Sequence, residues 1–147
     1  MRLGIISDTH GLLRPQVFDV FKEVDHILHG GDVGKSEILT DLEALAPVTA
    51  VYGNVDDREL RSRLPQVAEV ELDGFAIVVT HGDQFGHPTP HKLHAAFPRA
   101  EIGRVRRHEL LATPHARLAR APVHLQLELE PPALAHPGAI VPYSGPR

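Results

Sequence analysis

Four short segments of the sequence place an acid, an amide or an imidazole directly after an apolar run. The first, ISDTHG at residues 6–11, delivers a carboxylate and an imidazole two positions apart. The side chains concerned in the four segments are Asp8, His10, Asp32, Asn54 and His81. Carboxylate and imidazole are ligands that manganese, iron, zinc, nickel and cobalt accept in proteins. The recurrence of such side chains at the ends of apolar runs therefore predicts a metal site.

The spacing of the apolar residues predicts the elements that position these side chains. Residues 2–7, 25–29 and 48–52 read as short buried strands, and residues 13–23 carry apolar positions at helical spacing. A second helical pattern fills the interval before Pro47. This β-α-β-α-β order with short connections indicates a parallel sheet with helices packed against it.

The pattern changes in the second half of the chain. The segment VAEVELDGFAIVVTHG, residues 67–82, reads as two strands around Asp73-Gly74, which is a strong hairpin signal. We therefore expect the sheet to gain antiparallel strands here. No internal repeat or flexible linker divides the sequence, so we expect one domain over residues 1–147.

The carboxyl ends of parallel strands gather at one edge of a sheet, where ligands bind. We interpret the strand-end side chains as a two-metal site in which Asp32, on a middle strand, bridges two ions. Asp8 and His10 hold one ion, because in an extended chain the residue between them points the other way. Asn54 and His81 hold the second ion. Each motif alone is also common as a turn or cap, but the four together favour metal binding.

Composition restricts the class of protein. The 147 residues are 42% hydrophobic and 23% charged, as in ordinary globular domains, and the net charge of −4 gives no sign of a nucleic-acid partner. The absence of cysteine rules out disulfides, thiolate nucleophiles and cysteine-ligated metal sites. There is no secretory signal pattern and no apolar run of membrane length, so we expect a cytoplasmic protein without a membrane partner.

Residues 103–147 differ in character from the rest of the chain. They hold seven of the 13 prolines and no aspartate, and their six arginines against three glutamates give +3, whereas residues 1–102 carry −7. The segment VHLQLELE, residues 123–130, alternates and predicts a strand. We assign little other regular structure to this part.

The motifs SDTHG, LHGGD, VYGNVD and THGDQFG resemble those of the calcineurin-like metallophosphoesterases, in particular the small single-domain phosphodiesterase branch. The resemblance covers residues 1–102. It implies a four-layer α/β/β/α sandwich with mixed sheets, two divalent ions, and hydrolysis of a small phosphate ester, usually a diester, by a hydroxide held between the metals. Manganese is the first expectation, with zinc, iron, nickel or cobalt as alternatives. Motif matching assigns Asp8 and His10 to the first metal, Asp32 to the bridge and Asn54 and His81 to the second; Asp32 and Asn54 are also the expected catalytic residues.

The chain also departs from the family pattern. Val55 stands where many larger members carry a histidine as the leaving-group acid, although the small branch usually lacks it. The family's Gly-His-x-His and Asn-Pro-Gly-Ser motifs are missing after Glu101, and His108 is the histidine nearest the expected position. Either residues 103–147 have diverged, or they are an out-of-frame translation. The alternative function is therefore a weakened or inactive scaffold of the same fold that binds a protein partner.

Substrate recognition is expected from loops at the strand ends. We interpret residues 84–98, with His87, His91 and His94, as a solvated loop. Arg14 and Lys35 follow metal motifs and could meet an anionic substrate, or they could be ordinary surface charges. A homo-oligomer is left open by the sequence.

Overall fold

The computed structural model describes residues 1–86 and 89–98, together with the backbone of strands at 104–106, 109–111 and 124–128. The central sheet is built on three parallel strands, β1 (Arg2–Ile6), β2 (His26–His29) and β3 (Val48–Ala50). Two helices, α1 (Pro15–Phe21) and α2 (Ser36–Glu43), connect them. The β-α-β-α-β order read from the sequence is confirmed.

The two connecting helices follow from local sequence. Helix α1 starts with Pro15, whose fixed φ suits a first helical turn, and it buries Val17 and Phe21, which lie one turn apart on one face. Helix α2 buries Ile38, Leu39 and Leu42 in the same way. Both apolar stripes pack into one core with Ile6 and Ile27 of the sheet, and this core lies on the helix side of the sheet.

The predicted hairpin forms β4 (Val67–Leu72) and β5 (Phe75–Thr80), which pair antiparallel from Leu72 opposite Phe75. Its two-residue turn places Asp73 at φ 53° and Gly74 at φ 82°, the left-handed pair that matches the twist of the strands. The hairpin does not extend the central sheet as expected. It forms a second sheet, because its apolar side packs face to face on the first.

The central sheet is therefore covered on both faces. Side chains alternate along β1, so that Gly4 lies against the ring of Phe21 and Ile6 against the helices. Leu3 and Ile5 point the other way and pack with Leu28, Val51, Val79 and the inner face of the hairpin. This gives a helix–sheet–sheet order, and the expected mixed α/β class is confirmed.

The central sheet has a fourth strand that comes from late in the chain. Strand β8 (His124–Glu128) pairs antiparallel with the outer side of β1, giving the order β3-β2-β1-β8. The predicted strand within residues 123–130 is thus confirmed. Two further short strands, β6 (Arg104–Arg106) and β7 (Glu109–Leu111), pair with one another and were not expected, since their charge hides the pattern. His108 lies outside the described residues.

The described residues among 84–98 do not form the solvated loop that we expected. A 3₁₀ turn spans Asp83–Phe85, and helix α4 spans Pro90–Ala96, after the short helix α3 at Arg58–Arg63. Thr89 caps α4 by accepting a hydrogen bond from the Lys92 amide at 3.3 Å. His91 and His94 lie exposed on this helix, and His87 lies outside the described residues. None of the helices in the described part of the chain has both the length and the apolar character needed to cross a bilayer.

Candidate metal centre

The segments that follow β1 and β2 run side by side beyond the ends of their strands. The amide of Asp8 donates to the carbonyl of Gly31 at 3.0 Å, and the amide of His10 donates to the carbonyl of Asp32 at 3.0 Å. The amide of Gly11 donates to the carbonyl of Val33 at 2.7 Å. These contacts hold two of the motif segments together at the carboxyl edge of the sheet, as the sequence predicted.

The backbone at this edge is not extended. Asp8, His10 and Asp32 have φ values of 58°, 48° and 55°, in the left-handed region that residues with side chains rarely adopt. The expectation that Asp8 and His10 share one side of an extended strand was therefore wrong, because β1 ends at Ile6. Such conformations cost of order 1–3 kcal/mol each and cluster at functional sites, where surrounding contacts enforce them.

Three of the predicted ligands converge closely. Asp8, Asp32 and His81 each offer a ligand atom, and these atoms all lie within 4.8 Å of one another. Nε2 of His81 lies 3.5 Å from Oδ2 of Asp32 and 3.1 Å from Oδ1 of Asn54. The structure thus brings four of the five predicted side chains together, at a site where Asp32 is buried and Asn54 is exposed.

The fifth predicted ligand, His10, lies at the rim of this group. Its Nε2 atom is 3.9 Å from Oδ1 of Asp8, and its side chain is 45% exposed. The other carboxylate oxygen of Asp8 accepts a hydrogen bond from Ser7 Oγ at 2.7 Å. His10 therefore adjoins the converging side chains through Asp8 and faces solvent.

A hydrogen bond to the backbone orients the His81 ring. Its Nδ1 atom lies 2.9 Å from the carbonyl oxygen of Gly30, which can only accept, so Nδ1 carries the proton. Nε2 is left facing the carboxylate of Asp32 and the side-chain amide of Asn54. Nε2 of His81, Oδ2 of Asp32 and Oδ1 of Asn54 are thus near enough to one another to share one bound cation. This arrangement matches metal-binding histidines, which usually donate their other N–H to a backbone carbonyl.

A buried histidine, which the sequence reading passed over, supports the turn between Asp8 and His10. The Thr9 hydroxyl donates to the carbonyl of Val33 at 2.9 Å, so its oxygen is left to accept from Nε2 of His29 at 3.0 Å. Nδ1 of His29 accepts from the amide of Gly31 at 3.2 Å. Burial lowers the pKa of His29 to about 4. The His29 ring is thus neutral, has both nitrogens hydrogen-bonded and supports the turn from beneath. The only feature of the sequence that pointed to it was a histidine at the end of an apolar strand.

Comparison with known proteins agrees with the geometry. The model of the calcineurin-like phosphoesterase superfamily domain matches residues 1–111, somewhat further than the motifs themselves reach. A probable metallophosphoesterase of Methanothermobacter thermautotrophicus is 40% identical over 90 residues, covering 58% of this chain and 52% of that protein. One from Methanocaldococcus jannaschii is 44% identical over 88 residues, covering 56% and 44%. The matched region thus spans about half the length of these curated relatives.

Solved structures share the fold. Vps29 of Entamoeba histolytica, crystallised as a single mutant, has a TM-score of 0.60 at 19% identity and covers 89% of this chain and 87% of its own. The wild-type protein from the same organism, complexed with Zn²⁺, has a TM-score of 0.54 at 26% identity, covering 65% and 57%. A Thermotoga maritima protein solved by NMR has a TM-score of 0.55 at 21% identity, covering 88% and 92%. These neighbours identify the architecture as the metallophosphoesterase fold.

Proposed function

This chain belongs to the calcineurin-like phosphoesterase superfamily, and we propose that it is a divalent-metal-dependent phosphodiesterase whose site lies at the carboxyl edge of the central sheet. The observation that carries the proposal is the convergence of possible ligand atoms: those of Asp8, Asp32 and His81 lie within 4.8 Å of one another, and Nε2 of His81 lies 3.1 Å from Oδ1 of Asn54. The proposed metal ligands are Asp8, His10, Asp32, Asn54 and His81. We further propose that residues 1–147 act as one domain.

The donor set fits divalent transition metals. It combines carboxylates with imidazole, a mixture that suits manganese, zinc, iron, nickel or cobalt, and we propose manganese first. Bound cations would supply Lewis acidity, which generates the nucleophile from water and offsets the charge on the phosphoryl oxygens. The zinc complex of wild-type Vps29 from E. histolytica, at 26% identity, supports a metal site on this fold.

Hydrogen bonding and burial fix the orientation of Asp32 within the site. Oδ1 of Asp32 accepts a hydrogen bond from the Val55 amide at 3.1 Å, which leaves Oδ2 directed towards His81. Asp32 is 4% exposed, so its charge acts in a medium less polar than water. We assign it the bridging role and assign Asn54, beside it on the solvent side, to the second ion and to contact with the substrate.

A positive side chain lies beside the proposed site. The aliphatic stem of Lys35 passes over Gly11, so that a side chain placed on this glycine would lie 3.0–3.2 Å from three carbons of the stem. Gly11 directly follows His10, and Lys35 is exposed. We propose that the ammonium group binds a phosphate oxygen of the substrate, which favours an anionic diester over a neutral ester.

The test is hydrolysis of a chromogenic phosphodiester, bis-p-nitrophenyl phosphate, with and without Mn²⁺. We expect turnover that requires Mn²⁺ and stops with chelator. Asp32→Asn should remove most of it, because the carboxylate charge is lost from the centre of the site, whereas Asp41→Asn on the exposed face of α2 should not change it. Turnover that survives both chelator and Asp32→Asn contradicts the proposal.

The alternative is a weakened or inactive scaffold that binds a protein partner. Its support is the likeness to Vps29 over 87% of one such chain, and the absence of the family's Gly-His-x-His motif after Glu101. Metal binding without turnover of any phosphate ester favours the scaffold, whereas metal-dependent turnover favours the enzyme.

A further inference from the structure

Asp56 is a buried carboxylate that lies next to the proposed metal site without belonging to its ligand set. It is 4% exposed. Oδ1 accepts a hydrogen bond from the amide of Gly34 at 2.7 Å, and Oδ2 accepts one from the amide of Gly53 at 2.8 Å. Burying a carboxylate is costly unless it is hydrogen-bonded, so these two short contacts are what stabilise its position.

The two amides belong to different loops. Gly34 lies two residues after Asp32 in the segment that follows β2, and Gly53 directly precedes Asn54 in the segment that follows β3. Each oxygen of Asp56 thus holds one ligand-bearing loop. The contact is reciprocal, because Asp32 accepts from the Val55 amide of the second loop at 3.1 Å. Each loop therefore contributes a carboxylate that binds the backbone of the other.

The first ligand-bearing loop joins this arrangement through Gly34. A side-chain carbon on Gly34 would lie 2.5 Å from the amide nitrogen of Gly11 and 2.6 Å from the carbonyl carbon of His10. The loop that carries Asp8 and His10 therefore packs directly on the residue that Asp56 holds. Movement of Gly34 would shift all three loops relative to one another.

Arg61 secures the backbone around Asp56. From helix α3, its Nε donates to the carbonyl of Asp56 at 2.7 Å, and its Nη2 donates to the carbonyls of Gly53 at 3.2 Å and Asn54 at 2.8 Å. Its guanidinium also lies 5.1 Å from the centre of the Tyr52 ring. The residue thus binds the turn that carries both Asn54 and Asp56.

We propose that Asp56 is a positioning residue: by holding the amides of Gly34 and Gly53, it sets the spacing between Asp32 and Asn54 and so determines metal affinity. This inference rests on the proposed metal-dependent function. Groups of this kind, which orient ligands without touching the metal, typically change metal affinity by 10–100-fold when they are replaced.

The first measurement needs no metal. Hydrogen exchange of backbone amides is followed by NMR in the metal-free wild type and in Asp56→Asn, which keeps the shape but replaces one acceptor oxygen by a donor. We expect at least one of the Gly34 and Gly53 amides, the one that faces the new NH2 group, to exchange about tenfold faster in the variant, while helix α2 keeps its protection. Unchanged exchange at both glycines overturns the proposal.

The second measurement is Mn²⁺ affinity by isothermal titration. The matched control is Asp57→Asn, because Asp57 is the next residue, is exposed, and caps α3 by accepting from the Leu60 amide at 2.9 Å. We expect Asp56→Asn to weaken Mn²⁺ binding about tenfold or more and Asp57→Asn to change it less than twofold. Arg61→Lys, which cannot reach three carbonyls at once, should give an intermediate loss.

The outcomes separate the two proposals. If the wild type binds no Mn²⁺, the proposed function fails, and the exchange rates of Gly34 and Gly53 still decide whether Asp56 holds the loops. If the wild type binds Mn²⁺ and Asp56→Asn binds it equally well, the positioning role is wrong while the function stands. Equal loss in Asp56→Asn and Asp57→Asn also contradicts the role, because it indicates a general loss of structure.

Discussion

At the scale of single residues, the proposed centre depends on the hydrogen bonds that orient its side chains. His81 is oriented by the Gly30 carbonyl, Asp32 by the Val55 amide and Thr9 by His29. The sequence predicted the first two side chains because each ends an apolar run. It did not predict the groups that orient them. Every residue has a backbone carbonyl and amide, and the sequence does not show which residues these groups or the buried imidazole of His29 will contact.

Lys35 gives a prediction about the substrate. Replacing it with methionine keeps the stem over Gly11 and removes the charge, so we expect kcat/KM for bis-p-nitrophenyl phosphate to fall about tenfold, as for loss of one charge-assisted hydrogen bond of about 1.5 kcal/mol. Lys22→Met is the control, because this exposed lysine follows α1, far from the strand ends that carry the ligands. Equal rates for the two variants at low salt would show that Lys35 is only a surface charge.

His29 gives a prediction about pH. Its pKa is lowered from 6.5 to about 4 in the folded protein, mainly by burial, so the unfolded chain takes up a proton at a higher pH than the folded one. Stability from this group is therefore fully present above about pH 6.5 and is lost as the pH falls towards 4, by about 3 kcal/mol. Urea unfolding between pH 7 and 4 measures this loss.

The control for His29 is its own replacement. His29→Gln has no titrating group at this position, so it should be less stable at pH 7 but should show a flatter pH dependence between 6.5 and 4. A variant whose pH profile runs parallel to that of the wild type would show that other groups cause the loss.

At the scale of elements, hydrophobic spacing was sufficient for the parallel strands, for α1 and α2, and for the turn at Asp73-Gly74. It was insufficient where tertiary contacts decide. The hairpin formed its own sheet because its apolar face packs on Leu3 and Leu28. The helix at residues 90–96 was missed for a different reason: its start signal, Thr89 capping the Lys92 amide, is local and was not read from the sequence. The left-handed turns after β1 and β2 were also missed, since they arise from contacts between loops.

Gly53 provides the prediction at this scale. A side-chain carbon on Gly53 would overlap Oδ1 of Asp32, so Gly53→Ala must displace either the β3 loop or the carboxylate. We expect a loss of about 2 kcal/mol in the free energy of unfolding, as for other strained or overpacked sites, with a clear loss of Mn²⁺ affinity. Chemical denaturation and metal titration measure the two effects.

Gly74→Ala is the control for Gly53→Ala, because it introduces backbone strain at a turn without changing the geometry of the proposed site. Gly74 has φ 82° with open space around it, so alanine there costs about 1 kcal/mol through the backbone alone and should leave Mn²⁺ affinity unchanged. If Gly53→Ala binds Mn²⁺ as tightly as Gly74→Ala, the close approach at Asp32 has no bearing on the site.

At the scale of the whole molecule, one edge of a covered sheet gathers side chains from four distant parts of the sequence. The parallel order of β1, β2 and β3 makes three of these four contributions predictable, because it places their carboxyl ends together. The fourth, His81, follows β5 of the second sheet, and the packing of the two sheets brings it to this edge. Strand β8 completes the sheet beside β1, and its alternation predicted a strand but not its partner. The spacing between the three ligand-bearing loops, which we propose Asp56 maintains, could not be predicted from the sequence because it depends on contacts between distant segments.

Metal content after equilibrium dialysis tests the central claim most directly. The wild type, Asp32→Asn and Asp41→Asn are dialysed against Mn²⁺, and bound metal per chain is determined by mass spectrometry. We expect the wild type and Asp41→Asn to retain equal amounts, approaching two ions per chain, and Asp32→Asn to lose most of both, because it loses the shared carboxylate. A wild type that retains no Mn²⁺ or other transition metal, or an Asp32→Asn variant that retains as much as the wild type, would contradict the account.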